Sequence, residues 1–147
     1  MGDYNNGDYF YSLFMYIGGL KPLKPSSVST IEEVEANSKE IFMTAFRIEY
    51  MCFCIKKLDE ETPLILEHIQ NIHSLASQII NEQRTIQEIC AKTPAGQNFS
   101  SKKVRKLQKE TTQLTEEIEM ELVRMGKSGK TMLDILGLQI MPQSQGI

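Results

Sequence analysis

The sequence predicts an all-α chain, an elongated coiled-coil helical hairpin or bundle with a break or kink near Pro63. Three observations carry that prediction. Apolar residues recur at alternating steps of three and four over long stretches. Proline and glycine concentrate outside the middle of the chain, which leaves Thr30 to Met125 open to long helices. Two punctuated stretches, LDEETP at 58–63 and KTPAGQNFSS at 92–101, divide that region into three helical segments. A chain of 147 residues makes one small domain or one elongated helical unit. Three regions follow: an aromatic N-terminal segment with a Pro-containing linker (1–30), a helical region (31–126, helices about 31–58, 63–92 and 101–125), and a C-terminal docking segment with a flexible tail (127–147).

The N-terminal segment DYFYSLFMYIGG predicts a short helix ending at Gly18-Gly19. It reads either as a docked segment covering apolar surface or as a hook for a partner. The following KPLKPSSVS blocks regular structure, because Pro22 and Pro25 remove donors and restrict the residues before them. The apolar run Tyr9 to Ile17 is too short to span a bilayer, and it follows Asp3 and Asp8 where a signal peptide would carry Lys or Arg. The start MGDYNN places Asn6 where myristoylation expects Ser or Thr.

The first long helix has a strong start. Ser29 or Thr30 can cap it, with Glu32 or Glu33 as the return partner of a capping box. Ile31, Val34, Ser38, Ile41, Ala45, Ile48, Cys52 and Ile55 then form a heptad stripe. Phe42, Phe46, Met51 and Phe53 widen it, so this helix is expected to meet more than one neighbour. The stretch before Pro63 interrupts the stripe. A proline costs about 3 kcal/mol inside a helix but little in its first turn, with Thr62 as a cap.

After Pro63 the seam is regular. Ile65, Ile72, Ile79 and Ile86 lie seven apart, with Ile69, Ala76, Gln83 and Cys90 four residues after each. Gln83 is a polar residue in the seam, of the kind that fixes register at a cost in stability. Past the 92–101 loop, Ser100 or Ser101 can start a third helix. Its stripe is Val104, Leu107, Thr111, Leu114, Ile118 and Met125, broken by Glu121 and ended by Gly126 and Gly129. A loop of this length favours antiparallel neighbours. Residues 63–92 and 101–125 are therefore expected to form a hairpin, with residual apolar faces covered by another chain or by 31–58 folded back.

The segment GKSGKT at 126–131 looks like a phosphate-binding loop but fails on spacing. The first glycine of that motif would fall at Arg124 or Glu121, and the preceding segment is a charged heptad helix rather than a strand. Two glycines that stop a helix, with lysines at its negative end, account for it. No metal site is expected. Cys52 and Cys54 point about 200° apart on a helix, and His68 and His73 are five residues apart. No catalytic constellation is expected either. The sequence therefore predicts a non-enzyme without cofactor, metal or small-molecule substrate. Asn98-Phe99-Ser100 matches a glycosylation sequon that should stay unmodified without a signal peptide.

The functional expectation is a non-catalytic coiled-coil subunit or scaffold of a multiprotein complex. Its expected partner interface is Ile65, Ile69, Ile72, Ile79 and Ile86 with Val104, Leu107, Leu114 and Ile118, and Ile41, Ile48 and Ile55 on the first long helix. The alternatives are a self-contained helical adaptor using its aromatic N-terminal segment, or a nuclear or nucleic-acid-associated factor. The last would use a candidate polyanion or import patch at Lys102, Lys103, Arg105, Lys106 and Lys109, which stands at the helix end unfavourable for cations. The bland reading of that patch is a solvated face paired with the acids that follow it. Net charge is -3, so no global field draws the chain to nucleic acid or anionic lipid, and the expected partners are other helical subunits. Three cysteines without framework spacing predict a reducing, intracellular setting, cytoplasmic or nuclear.

Overall fold

The computed structural model describes residues 6–24, 29–58, 63–94, 98–99 and 101–128. These form four helices: α1 (Asn6–Gly18), α2 (Ile31–Leu58), α3 (Pro63–Ala91) and α4 (Lys102–Ser128). The fold is all-α. Among the described residues the one departure is a pair of two-residue strands, β1 (Ser29–Thr30) and β2 (Asn98–Phe99), antiparallel with Ser29 opposite Phe99. The sequence pattern did not foreshadow this bridge, because two residues are too few to carry an alternation.

α3 is the central helix, packed along both α2 and α4, while α1 lies on α2. Side-chain pairs fix the directions. Ser38 meets Gln83 and Lys56 meets Gln70, so α2 and α3 run antiparallel. Gln83 meets Thr111 and His68 meets Glu121, so α3 and α4 do as well. Tyr16 lies against Arg47, and Leu23 bonds Asn37, so α1 and its linker run back along α2. The start of α2, the end of α3 and the start of α4 therefore share one end of the bundle, where β1 meets β2.

Local chemistry sets the helix starts. Thr30 and Glu33 form the capping box: the Glu33 amide donates to Thr30 Oγ1 at 3.1 Å, and the Thr30 amide donates to Glu33 Oε1 at 2.8 Å. α3 opens on Pro63, a position where the missing N–H leaves no bond unmade. Ser101 caps α4 by accepting the Val104 amide at 3.3 Å. α3 ends at Ala91, where the Lys92 and Thr93 amides turn back to Ile89 and Cys90 carbonyls. α4 does not stop at Gly126 but runs to Ser128. A side chain at Gly126 would meet open space, and the fully buried Met125 anchors the last turn. One glycine costs such a helix only about 1 kcal/mol. The expected C-terminal docking segment lies, from Gly129 on, outside the described residues.

The core is continuous through all four helices. Phe10, Leu13 and Ile17 of α1 join Ile41, Ala45, Ile48, Cys52 and Ile55 of α2, the α3 seam from Ile65 to Ile80, and Ile118 and Met125 of α4. A second cluster, Ile31, Val34, Ile86, Cys90 and Val104, closes the end beside the strand pair. Each fully buried Ile or Leu contributes roughly 1.5–3 kcal/mol. The aromatic head thus sits as a docked segment, with Phe10 and Leu13 fully buried.

Candidate interaction surface

The twelve heptad residues expected to face partners face one another. Ile41, Ile48, Ile55, Ile65, Ile69, Ile72, Ile79, Ile86, Val104 and Ile118 are buried, and Leu107 and Leu114 are half-buried against the same clusters. A partner helix would reach them only by displacing one of the chain's own helices.

Polar groups within these seams are matched. Gln83 is buried, and its Nε2 donates to Thr111 Oγ1 at 2.9 Å. Thr111 Oγ1 in turn donates to Glu82 Oε1 at 2.8 Å, and Ser38 Oγ donates to the Gln83 carbonyl at 3.3 Å. The polar seam residue therefore ties α2, α3 and α4 at one level. Burial pushes the Glu82 carboxyl up to about 7, with the neighbouring Glu110 adding to the shift against the Thr111 hydrogen bond. Glu121, the apparent break in the α4 stripe, is buried and accepts from His68 Nδ1 at 2.5 Å, Asn71 Nδ2 at 3.1 Å and Arg124 Nη1 at 3.0 Å. Burial alone would raise its pKa, but these donors together hold it below the usual carboxylate value.

One cluster combines the residue types of a nucleophilic triad. Glu49, His73 and Ser77 meet across α2 and α3, with Lys56 beside them. The order of bonds is wrong for activation. Ser77 donates to the Glu49 carboxylate, not to the imidazole, so the serine–histidine–acid order of a triad is not formed. Lys56 Nζ donates to His73 Nδ1 at 2.8 Å, and burial followed by that ammonium lowers the His73 pKa. The cluster links α2 to α3. A small cavity elsewhere, between Pro22, Ser38, Gln83 and Thr111, holds about 10 Å³, room for about one water. Among the described residues no three His, Cys, Asp or Glu side chains converge as a metal site would need. No described helix is long and apolar enough to cross a membrane.

Lys102, Lys103, Arg105, Lys106 and Lys109 are all exposed at the start of α4. Among the described residues none of them enters an ion pair, so the face is solvated but not paired with the acids that follow.

Among the described residues, the most extended unpartnered apolar feature lies on the outside of α2. Met43, Phe46, Tyr50 and Phe53 are between 48% and 55% exposed. Their spacing of three, four and three residues aligns them in one row about 15 Å long. Lys39 and Lys57, both exposed, continue the row at its two ends. Arg47 lies 5.9 Å from the Tyr16 ring on one flank, and Arg84 lies 5.8 Å from the Phe42 ring on the other. Lys57 itself sits 5.4 Å from the Phe53 ring. Between 39 and 57 the only acids on α2 are Glu40 and Glu49, and Glu49 turns inward to His73 and Ser77. Tyr50 bonds Cys54, which with nearby Tyr9 raises its phenol pKa. Elsewhere among the described residues, exposed large apolar residues come in pairs, Tyr11 with Met15 and Met120 with Val123.

Sequence reasoning assigned Phe46 and Phe53 to a widened core stripe and passed over Met43 and Tyr50. The signal was present. Met43 and Tyr50 stand two residues after Ile41 and Ile48, while Phe46 and Phe53 stand two before Ile48 and Ile55. An offset of two is about 200° on a helix, which puts them on the opposite face. Phe42 and Met51 do flank the core, as partly buried residues.

Comparison with protein-family models, with curated proteins and with solved structures finds no match to this chain.

Proposed function

We propose that this chain is a non-catalytic helical subunit of a protein assembly, folded on its own and meeting its partner through the outer face of α2. The observation that carries the proposal is the exposed row Met43, Phe46, Tyr50 and Phe53. A monomer gains nothing from four large apolar side chains aligned in water, whereas a contact surface does. The heptad seams then supply the scaffold that holds the row straight. Support for a non-enzymatic role comes from the bonds within Glu49, His73 and Ser77, in which the serine meets the carboxylate and not the imidazole. The three free thiols fit a reducing compartment, cytoplasmic or nuclear.

The native thiol of Cys54 borders the row through its bond to Tyr50, and it is half-exposed where Cys52 and Cys90 are buried. A photo-crosslinker on Cys54 of the full chain, irradiated in native extract, is expected to capture discrete protein partners. The same label on Glu119→Cys, on the solvent side of α4 in a Cys54→Ala background, is expected to capture none of them. Identical products from both positions, or none from Cys54, overturn the proposal.

A second reading has its own observation, the five exposed and unpaired basic residues at the start of α4. Contact with a polyanion through them would show as binding to duplex DNA or RNA that falls steeply with salt. It would disappear when Lys102, Lys103, Arg105 and Lys106 are neutralised. Absence of binding at low salt removes this reading.

A further inference from the structure

The geometry points to one kind of partner for the outer row of α2: an amphipathic helix whose apolar face is bordered by Asp and Glu. This rests on the reading of that face as the contact surface and adds the chemistry of what covers it.

Shape argues for a helix. Lys39, Met43, Phe46, Tyr50, Phe53 and Lys57 follow one another at steps of four, three, four, three and four. That is a ridge of the kind that packs into the groove of a second helix. Area argues against a second copy of this chain as a stable partner. The four apolar side chains offer roughly 300–500 Å², taking half of the 150–250 Å² a large side chain buries. A stable symmetric dimer needs roughly 800 Å² from each copy. A single docked helix needs no more than an anchor row.

Charge argues for acid on the partner. A lysine closes each end of the ridge, and an arginine flanks each side, Arg47 by Tyr16 and Arg84 by Phe42. Among the described residues none of these four cations enters an ion pair. Each is exposed; Lys57 lies over the ridge ring of Phe53, while Arg47 and Arg84 are held over Tyr16 and Phe42 beside the ridge. The ridge is thus locally positive on a chain whose net charge is -3. Screening confines each charge to about 10 Å, so a docked partner meets this local positive field rather than the net charge. The docked helix would set apolar residues against Phe46 and Tyr50 and carboxylates against Lys39, Lys57, Arg47 and Arg84.

The test uses the full chain and two synthetic helical peptides of about 15–20 residues. Both carry the same Leu/Phe row, one bordered by Glu and the other by Lys. Fluorescence anisotropy is expected to give binding of the Glu-bordered peptide at least about tenfold tighter than the Lys-bordered one, as four modest charge contacts allow. Raising salt from about 50 to 500 mM is expected to shrink that ratio. Phe46→Ser with Tyr50→Ser is expected to abolish binding while circular dichroism keeps its helical signal. Replacing Lys39, Arg47, Lys57 and Arg84 by Glu is expected to invert the preference, and the salt series on the native chain gives the same answer if that variant misfolds.

Equal binding of both peptides, or binding of neither, overturns the acidic-helix inference. So does a doubling of mass in solution that Phe46→Ser removes, which would make the occupant a second copy. Tighter binding to phosphatidylcholine–phosphatidylserine vesicles than to either peptide, lost in the same double variant, also overturns it in favour of a lipid surface. Capture of partners through Cys54 together with peptide failure would leave the contact surface standing and sink only its chemistry. Loss of both would sink the two together.

Discussion

The inner row of α2 (Ile41, Ala45, Ile48, Cys52, Ile55) and its outer row (Met43, Phe46, Tyr50, Phe53) have the same spacing and a similar apolar character. They differ in what covers them. The inner row is buried against α1 and α3, and the outer row is about half in water. The lesson is that heptad spacing identifies a helix face that suits a partner without saying whether the partner is already in the chain. The bundle satisfies one such face of α2 internally and leaves the other bare.

The sharpest way to break that comparison is to truncate one residue of each row. Ile48→Ala removes a side chain with no exposure and is expected to cost about 2–5 kcal/mol in urea unfolding. Tyr50→Ala, two positions away, is expected to cost less than about 1 kcal/mol, as a surface substitution with one hydrogen bond to lose. Equal losses would mean that the outer row is part of the fold.

A second perturbation asks whether the polar level at Gln83 holds the inner faces together. Thr111→Val leaves the buried Gln83 amide without its acceptor and Glu82 without its donor. The expected loss is about 1–3 kcal/mol at neutral pH, read from the urea midpoint. Thr112→Val, one residue on, gives up only a bond to its own helix at Gln108 and is expected to cost little.

Glu82 also gives the inner region a pH dependence that the outer row lacks. Its folded pKa is raised from 4.5 to about 7, so between those values the folded state holds more proton than the unfolded state. Its contribution to stability is complete below about pH 4.5 and is lost as pH rises through 7. Glu110 is the other carboxyl facing it, and Thr111 and Gln83 are the neutral groups. Glu121 works in the opposite sense. Its folded pKa is lowered, so its contribution is present above the unfolded value and is lost on acidification. Glu82→Gln is expected to flatten the fall of melting temperature between about pH 5 and 7.5 while leaving acid unfolding in place. An unchanged slope would show that Glu82 titrates as if in water.

Much of the fold was legible because its determinants are periodic. The Ile65/Ile72/Ile79/Ile86 seam, the Thr30–Glu33 box and the 31–58 helix are written in residue types whose preferences act over one or two turns. The run of α4 beyond Gly126 was not legible, since a weak local penalty there is outweighed by the burial of Met125, a tertiary fact. The two-residue bridge between β1 and β2 was hidden for the same reason, because only the antiparallel return of α3 brings Asn98 to Thr30. The candidate surface was half legible. Spacing alone places Phe46 opposite Ile48, but only the packed bundle tells which of the two faces is left in water.

Cys52 and Cys54 reduce the comparison to a pair of atoms, since they sit two residues apart on the two faces. Cys52 is fully buried, and burial pushes its thiol up to about 12, with Glu49 adding to the shift against Lys56. Cys54 is half-exposed beside Tyr50. Cys90 is buried at the strand-pair end, and burial raises its thiol pKa as well. A chromogenic disulfide reagent at about pH 8 is therefore expected to titrate one thiol rapidly, Cys54, and the other two only as fast as the chain opens. Cys54→Ala is expected to remove the fast phase with almost no change in stability. If Cys52 reacted as fast as Cys54, the inner face of α2 would be open to solvent and the distinction between its two rows would fail. If instead a bound acidic peptide slowed Cys54 alone, the outer row would be marked as the side that a partner covers.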